Sequence, residues 1–281
     1  NLTFIIVTFK SEYIIHECIE SLPKNSNIIV IENSNNSELK KTLEEKYSKI
    51  KVIVQENSGM GSANNKGIKL CKTDYAFVIN PDVKFYEDTL QELISFSSKH
   101  NDYSILAPIS DDIEYPNYKI MNKKLINNNP DYLSVDSVDG FAMLLNKNKF
   151  NDNIYFDENF FLYLENDDLC LRKKKEKRKI YVVKKAKINH LGGKSPSIIY
   201  EKEIEYSRNW HWMWSKFYFN KKHYGYLKAF VKSFPILITS AINFFYYFVI
   251  NNKIKKKIYI MRFLGLLNSM LSKKSWYRPK V

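Results

Sequence analysis

Three short polar segments of this chain combine residue types that could hold a metal ion and move a proton. They are Asn80-Pro81-Asp82, Glu165-Asn166-Asp167-Asp168 and His190, and each follows an apolar run. Ligands of α/β proteins bind outside the carboxyl ends of the strands, so we expect the three segments to meet there. One carboxylate could bind a divalent cation together with the histidine, and a second could act as a general base. The pattern predicts an enzyme that acts on a diphosphate.

The elements that must position these segments alternate between strand and helix. Apolar runs predict strands at 2–9, 27–32, 51–55 and 75–80, and a further strand that includes 141–145. Apolar residues at helical spacing predict helices at 11–22, 37–47, 62–71 and 86–100. This order implies an α/β fold with a mostly parallel, doubly wound sheet and right-handed crossovers. Residues 104–135 are less regular, and Asn127–Pro130 predicts a turn within them.

Length and charge favour one catalytic domain with a basic appendage. The chain has 281 residues, and its 20 Tyr and 18 Phe can supply a sizeable core. Residues 1–200 carry 28 basic and 27 acidic side chains, whereas residues 201–281 carry 16 and 3. The three cysteines are scattered without a C-x-x-C pair, which predicts a reduced, cytosolic compartment. No basic-then-apolar segment precedes the first strand, so we do not expect export by a signal peptide.

An ordered series of motifs resembles the inverting family 2 glycosyltransferases of GT-A fold, and within them the bacterial rhamnosyltransferase-like branch. The series is Ile5–Phe9, Ile28–Ser34, Asn57-Ser-Gly59 with Asn65-Lys-Gly67, Ile79–Asp82, Asp139–Met143, Phe160–Arg172 and His190–Gly193. It covers roughly residues 2–215. The resemblance implies a GT-A catalytic domain over 1–215 and a helical C-terminal extension over 216–281.

The resemblance implies a divalent cation, Mg²⁺ or Mn²⁺, at the Asn-Pro-Asp turn. Asp82 is the expected metal ligand, with His190 completing the ligand set, and the cation would neutralise the departing diphosphate. Asn80 stands where the family has the first acid of its D-x-D motif, which weakens the charge of the site. Taken alone, Asn-Pro-Asp is also a common turn.

The second acidic segment is expected to supply the catalytic base. Inverting transfer needs a carboxylate that accepts the proton of the acceptor hydroxyl, and Glu165 is the candidate. The family has an acid where this chain has Asn166, so Asp167 is the alternative base. Asp168 either contacts the acceptor or caps the helix that follows, and Glu165 is expected to precede that cap. The spacing of a calcium-binding loop is absent.

Further residues are assigned to the substrates by the resemblance. The donor side comprises Thr8, Phe9, Glu32, Asn57, Gly59, Asn65, Lys66 and Arg208, together with Asn80 and Asp82. Glu32 could accept a hydrogen bond from the N3–H of uracil or thymine. Asp139 and Gly140 are expected on the acceptor side, and Gly192–Ser195 is expected to form a loop that closes over the substrate. The glycines do not match the dinucleotide pattern G-x-G-x-x-G.

The basic appendage contains an uncharged stretch that suggests contact with a membrane. Between Lys232 and Lys253 lie 20 residues without a charge, and lysines flank this stretch on both sides. The stretch could just span a bilayer, but Pro235 and the two-sided lysines favour a helix lying in an anionic membrane interface. The alternative is that this helix and a second one at 258–271 pack on the catalytic domain.

The sequence therefore predicts a metal-dependent glycosyltransferase at the cytoplasmic face of a bacterial plasma membrane. The expected partners are a nucleotide-diphosphate sugar, with dTDP-rhamnose first and UDP-sugars as the alternative, and a lipid-linked or growing glycan acceptor. A homodimer and a catalytically silent scaffold stay open. Nucleic-acid binding is disfavoured, because the lysines flank an apolar block and do not alternate with aromatic residues.

Overall fold

The computed structural model describes residues 1–121, 129–150, 153–191 and 200–280, and the chain divides into two compact units. The first comprises 1–157 and 165–197, and the second comprises 158–164 and 198–281. The boundary predicted after residue 215 lies within one continuous helix, Glu201–Tyr224. The buried residues of that helix extend from Ile204 to Phe217, on both sides of residue 215.

The first unit is built on a mixed sheet. Its strands are β1 (Leu2–Thr8), β2 (Asn27–Glu32), β3 (Ile50–Val54), β4 (Tyr75–Ile79), β5 (Val83–Phe85), β6 (Tyr103–Ser110), β8 (Tyr132–Ser134), β10 (Ala142–Asn146) and β11 (Lys179–His190), and β7 (Tyr118–Lys119) pairs separately with β9 (Ser137–Val138). The order is β3-β2-β1-β4-β10-β6-β11-β5, with β8 paired to β11. Strands β3, β2, β1 and β4 are parallel, as β6 and β11 are, whereas β10 is antiparallel to both neighbours.

Helices cover both faces of this sheet, because alternate strand residues point to opposite sides. Phe4 and Ile6 belong to a core cluster with residues of α1 (Ile15–Ser21), α2 (Ser37–Lys46) and α4 (Thr89–Lys99). Ile5 and Val7 belong to a second cluster with residues of α3 (Met60–Leu70) and α5 (Glu165–Lys175). The predicted α/β architecture with helices around a central sheet is confirmed.

Strands β5, β6, β7, β8 and β9 were not predicted from the sequence, and β11 is longer than its apolar run. β6 occupies 103–110, inside a region without an apparent pattern, because Pro108 interrupts an otherwise apolar run. β11 continues for 12 residues to His190 and changes register between Val183 and Lys187. The histidine is thus the last residue of a long strand.

The second unit consists of three long helices, α6 (Glu201–Tyr224), α7 (Tyr226–Val249) and α8 (Lys253–Met270). Gly225 joins α6 to α7 with a φ of 88°, a left-handed value that suits glycine. Met213, Phe217, Ala229, Leu266 and Met270 form the shared core of the three helices. Within the described residues, α7 is the one helix long and apolar enough to cross a membrane, judged by length and composition.

Candidate active site

Strand pairing brings His190 to the Asn-Pro-Asp turn. The turn joins β4 to β5, and Val83 of β5 is the antiparallel partner of His190 at the end of β11. The Nε2 atom of His190 lies 3.5 Å from Oδ1 of Asp82. The ring of Phe141 stacks on His190 with centroids 3.8 Å apart, and its carbonyl accepts a hydrogen bond from the Asn80 N–H at 2.9 Å. Residues 108 positions apart in sequence thus form one cluster.

Polar atoms of this cluster are buried without hydrogen bonds. Oδ1 of Asn80, Oδ1 of Asp82 and Nε2 of His190 have no hydrogen-bond partner among the described residues, and Asp82 is 2% exposed. A buried polar atom without a partner costs free energy, so it marks a position that a ligand can satisfy. The donor set of carboxylate, amide and imidazole fits a divalent cation.

The ligand set is nevertheless small. No group of three or more His, Cys, Asp and Glu side chains suited to a metal is found in the described ranges. Mg²⁺ is often held by one or two carboxylates plus substrate phosphates. The geometry therefore suits a cation that shares its shell with a diphosphate better than one held by the protein alone.

Glu165 combines burial with an unsatisfied oxygen. It is the first residue of α5, and its Oε2 atom is buried without a hydrogen-bond partner in the described part of the chain. Burial raises the pKa of Glu165 to about 7, and the negative charge of Asp167 adds to the rise. A carboxylate of that pKa is suited to general base catalysis near neutral pH. The expectation that Glu165 precedes the helix was wrong, since α5 begins at this residue.

The backbone around Glu165 is unusual. Tyr163 and Leu164, which directly precede it, have φ values of 71° and 67°, a region that non-glycine residues seldom occupy. Gly61 of α3 faces Glu165, because a Cβ at position 61 would lie 3.6 Å from the Glu165 Cβ and 3.2 Å from the Phe156 Cβ. A larger residue at position 61 would press on the candidate base.

The other acids of the segment are engaged in ion pairs. Asp167 receives two hydrogen bonds from Nζ of Lys119, at 2.9 and 3.0 Å. Asp168 is fully buried and accepts a hydrogen bond from Nε of Arg172 at 2.9 Å. Asp168 thus lies within the first turn of α5 in a buried ion pair, and it does not head the helix, which begins at Glu165. Asn166 donates to the Val138 carbonyl at 2.8 Å.

Asp139 and Gly140 lie beside these acids. Burial raises the pKa of Asp139, Asp167 raises it further, and Lys119 and His190 oppose the rise. A Cβ at Gly140 would lie 3.3 Å from the Asn166 Cβ. The charge of Asp167 thus acts on the pKa values of both Glu165 and Asp139.

Several of the predicted donor-side residues lie at the carboxyl ends of β1 and β2 and near the start of α3. Thr8 ends β1, and its buried Oγ1 has no hydrogen-bond partner in the described structure. Phe9 follows directly, and its N–H and carbonyl both bond to the Ser11 hydroxyl. Gly59 precedes α3 with a φ of 87°, which requires glycine. Asn57 accepts hydrogen bonds from Asn33 and from the Gly59 N–H, each at 3.1 Å.

Other donor-side candidates already have protein partners. Glu32 is fully buried, and its carboxylate accepts hydrogen bonds from Ser34 and from the Asn36 N–H. Asn65 forms a reciprocal pair with the Phe156 backbone, at 2.8 and 2.9 Å. Lys66 is exposed and donates to Gln55 at 2.7 Å. In this structure Glu32 orders the turn that follows β2, and Asn65 connects α3 to the backbone at Phe156.

Two further assignments stay predictions. Arg208 belongs to α6 of the second unit and is half-buried. The expected closing loop Gly192–Ser195 lies outside the described residues.

Sequence reasoning missed Lys119 and the role of Phe141. Lys119 pairs with Asp167 across 48 residues, and no local pattern marks it. Phe141 belongs to the motif Asp139–Met143, but only the fold shows that its ring stacks on His190. Tyr13 was also missed; partial burial raises its pKa, and the nearby charge of Asp82 contributes.

Comparison with solved structures identifies the fold as GT-A. The chain is similar to GalNAc-T7, solved with UDP, GalNAc and Mn²⁺, at a TM-score of 0.57 and 15% identity, over 68% of this chain and 43% of that one. It is similar to residues 1–349 of TarS from S. aureus at a TM-score of 0.53 and 15% identity, over 99% and 93% of the two chains. These identities establish similarity of fold alone.

Comparison of sequences gives the family. The low-salt glycan biosynthesis hexosyltransferase Agl10 of Haloferax volcanii is 26% identical over 204 residues, which are 63% of this chain and 62% of that protein. The chain thus matches less than two thirds of the length of this relative. The model of glycosyl transferase family 2 matches residues 3–153, more than half of the chain. This chain belongs to glycosyl transferase family 2.

Proposed function

We propose that this chain is an inverting glycosyltransferase that moves a sugar from a nucleotide-diphosphate donor to a glycan. One observation carries the proposal: the buried carboxyl group of Glu165, whose pKa is raised to about 7, and the buried polar atoms of Asn80, Asp82 and His190 all lack hydrogen-bond partners among the described residues. A base and a polar pocket for a charged ligand are the two components that such a transfer needs.

In the proposed reaction, Glu165 accepts the proton of an acceptor hydroxyl while that oxygen attacks the anomeric carbon of the sugar. The bond from that carbon to the diphosphate oxygen breaks, and attack from the opposite side inverts the configuration. Asp82, Asn80 and His190 would hold a divalent cation, Mg²⁺ or Mn²⁺. When bound, the cation would neutralise charge on the departing diphosphate. Asp167 is the alternative base, although its ion pair with Lys119 favours a role in positioning.

The donor is proposed to bind along the ends of β1 and β2 and the start of α3, through Thr8, Phe9, Asn57, Gly59 and Lys66. Glu32 and Asn65 would support this surface from beneath, because their side chains already bond to neighbouring backbone. Arg208 is proposed to contact the diphosphate. The first donor to test is dTDP-rhamnose, and a UDP-linked hexose, N-acetylhexosamine or galactofuranose is the alternative.

The proposed acceptor is a lipid-linked or growing bacterial surface glycan, with Asp139, Gly140 and Asp168 on its side of the site. Participation in glycan biosynthesis is supported by the name of the Haloferax relative. We place the enzyme at the cytoplasmic face of the plasma membrane, attached through its basic second unit. The alternative is a silent glycosyltransferase-like scaffold, for which Asn80 and Asn166 in place of acids are the argument.

The first test is a thermal-shift panel with dTDP, UDP, GDP and CMP, each with and without Mg²⁺ or Mn²⁺. A ligand that binds only the folded state raises the melting temperature. We expect a metal-dependent shift with dTDP or UDP, and we expect Asp82→Asn to lose it. Asp88→Asn is the matched control, because Asp88 is exposed at the start of α4. The absence of a shift with every nucleotide would support the scaffold.

A further inference from the structure

Helix α7 carries a continuous row of exposed apolar side chains. The row, called here the apolar stripe, consists of Leu227, Val231, Phe234, Ile238, Ile242, Phe245 and Val249, which are between 44% and 80% exposed. The intervals of three and four residues keep all seven within about 80° of the helix circumference. Soluble surfaces seldom expose so long an apolar row without a partner.

The opposite side of α7 is already covered. Ala229, Ser233 and Ser240 are its buried residues, and they lie across the helix from the apolar stripe. Ala229 belongs to the core cluster shared with α6 and α8, and Phe230, Ile236 and Leu237 pack against that cluster. A spanning helix would be surrounded by lipid or by other apolar helices, whereas this one has a protein side and an open side. Its geometry suits insertion from one side, parallel to a surface.

The charges around the apolar stripe are all positive. No Asp or Glu follows Glu205 in the sequence. Lys228 and Lys232 are exposed in the first two turns of α7, and Lys253, Lys255 and Lys257 are exposed just beyond its end. A partner must therefore offer an apolar phase together with negative charge. An anionic bilayer offers both.

The same charges argue against a second copy of this chain as the partner. Two copies joined through the apolar stripe would bring their lysines together without any acid on either α7 or α8. Like charges placed opposite one another oppose association.

We infer that the apolar stripe of α7 lies in the interface of an anionic lipid bilayer, with the helix parallel to the membrane plane. The lysines at both ends contact lipid phosphates, and the seven side chains enter the acyl region from one side. This inference rests on the proposed function in that it specifies how the enzyme would reach a membrane-bound acceptor. Its test requires no catalysis.

The test is flotation with phosphatidylcholine vesicles, with and without phosphatidylglycerol. We expect the parent protein to bind the anionic vesicles. The variant Ile238→Ser/Ile242→Ser should bind about tenfold or more weakly, because two apolar side chains no longer enter the lipid. The matched control Thr239→Ser/Asn243→Ser alters the next residue along the helix at each position, about 100° away from the apolar stripe. It should bind within about twofold of the parent.

A second variant tests the charge. Lys253→Gln/Lys255→Gln/Lys257→Gln should lower the ratio of anionic to neutral vesicle binding at least about tenfold, since each lysine near an anionic surface adds to the attraction. A ratio that does not change would overturn the role of these lysines. Circular dichroism of each variant verifies that the helices persist.

Orientation is measured with an environment-sensitive label on cysteines placed at Val231, Ile242 and Val249. The native cysteines Cys18, Cys71 and Cys170 are buried, which favours labelling of the new site. The depth of each label is measured by quenching with spin-labelled lipids. If the helix lies in the membrane plane, the three labels have equal depth. A deep label at 242 with shallow labels at both ends would show a spanning helix and overturn the inference.

The remaining outcome is self-association. A parent protein that ignores vesicles and forms a dimer, which Ile238→Ser/Ile242→Ser converts to a monomer, would assign the apolar stripe to a second copy. The nucleotide thermal shift is recorded on the same samples. A parent protein that shows the nucleotide thermal shift but does not bind vesicles contradicts only this inference. A parent protein that shows no thermal shift with any nucleotide contradicts the proposed function.

Discussion

The two units of this chain depart from ordinary burial in opposite ways. The first buries polar atoms of Asn80, Asp82, Glu165 and His190 that have no hydrogen-bond partner in the described residues. The second exposes the apolar stripe of α7. Both departures cost stability in the isolated chain, since buried polar atoms lose water and exposed apolar surface keeps it. The comparison indicates a charged, polar ligand for the first unit and an apolar surface for the second.

The largest expected effect concerns the unsatisfied carboxylate of the first unit. Glu165→Gln keeps the shape of the side chain but removes the base, so kcat/KM should fall by about 10²–10⁴. Nucleotide binding by thermal shift should persist. Asp167→Asn is the companion variant. Its kcat/KM should fall less than that of Glu165→Gln, because Asp167 is ion-paired with Lys119. A larger loss for Asp167→Asn than for Glu165→Gln would make Asp167 the base.

The next effect compares a close contact in each unit. A Cβ at Gly67 would overlap Cγ2 of Ile5, and a Cβ at Gly265 would overlap the Trp210 carbonyl. A backbone carbonyl yields less than a side-chain methyl, so Gly265→Ala should cost about 3 kcal/mol and Gly67→Ala about 1–2 kcal/mol. Both values are decreases in the free energy of unfolding.

The measurement separates the two units. All four tryptophans, at positions 210, 212, 214 and 276, belong to the second unit, so Trp fluorescence during denaturant unfolding reports on that unit. Hydrogen exchange of peptides from β1 reports on the first. If Gly67→Ala and Gly265→Ala shifted the Trp fluorescence transition equally, the two contacts would not act independently.

The third prediction is a pH dependence. The pKa of Glu165 is raised in the folded protein to about 7, so between its unfolded value and about 7 the folded state binds more protons than the unfolded state. Stability from this group is present at low pH and is lost as pH rises through about 7, by up to about 3 kcal/mol. Calorimetry of the parent and of Glu165→Gln from pH 5 to 8 checks it, and the variant should show the flatter profile. Parallel profiles would show that Glu165 is not perturbed.

Activity should move in the opposite direction. The base works when deprotonated, so kcat/KM should rise with pH through about 7. An activity that falls over this range would contradict the assignment of Glu165 as the base.

The smallest expected effect lies in the second unit. The Arg278 guanidinium lies 3.8 Å from the centre of the Phe161 ring. Arg278→Ala should lower the stability of this unit by about 0.5–1 kcal/mol, measured by Trp fluorescence. Lys280→Ala is the control, because Lys280 is exposed. An equal loss in the two variants would assign the effect to charge alone.

Local sequence was sufficient where an element is apolar and ends at turn residues. β2 and β4 match their predicted cores, because each is a short buried run followed by polar residues. It was insufficient for β6, where Pro108 interrupts the run, and for the continuation of β11 to His190. Strand pairing with distant partners determines both elements, and pairing partners are not encoded in a local window.

The residues of the site also divide into those that the sequence could identify and contacts that it could not. Residue types and motif order identified Asp82, Glu165 and His190, since carboxylates and imidazoles after apolar runs are visible in the sequence. The ion pair of Asp167 with Lys119 and the ring of Phe141 on His190 were not visible. Both contacts connect residues about 50 positions apart, and only the folded sheet and its loops bring them together.

The sequence by itself determined the alternation of strands and helices, the family and the positive charge of the last 76 residues, because these are properties of residue type and order. Only the tertiary structure decided which carboxylate is buried at the start of α5, which polar atoms lack partners, and which face of α7 stays exposed. Burial and hydrogen bonding depend on what packs against a side chain, and that is fixed by contacts between residues far apart in sequence.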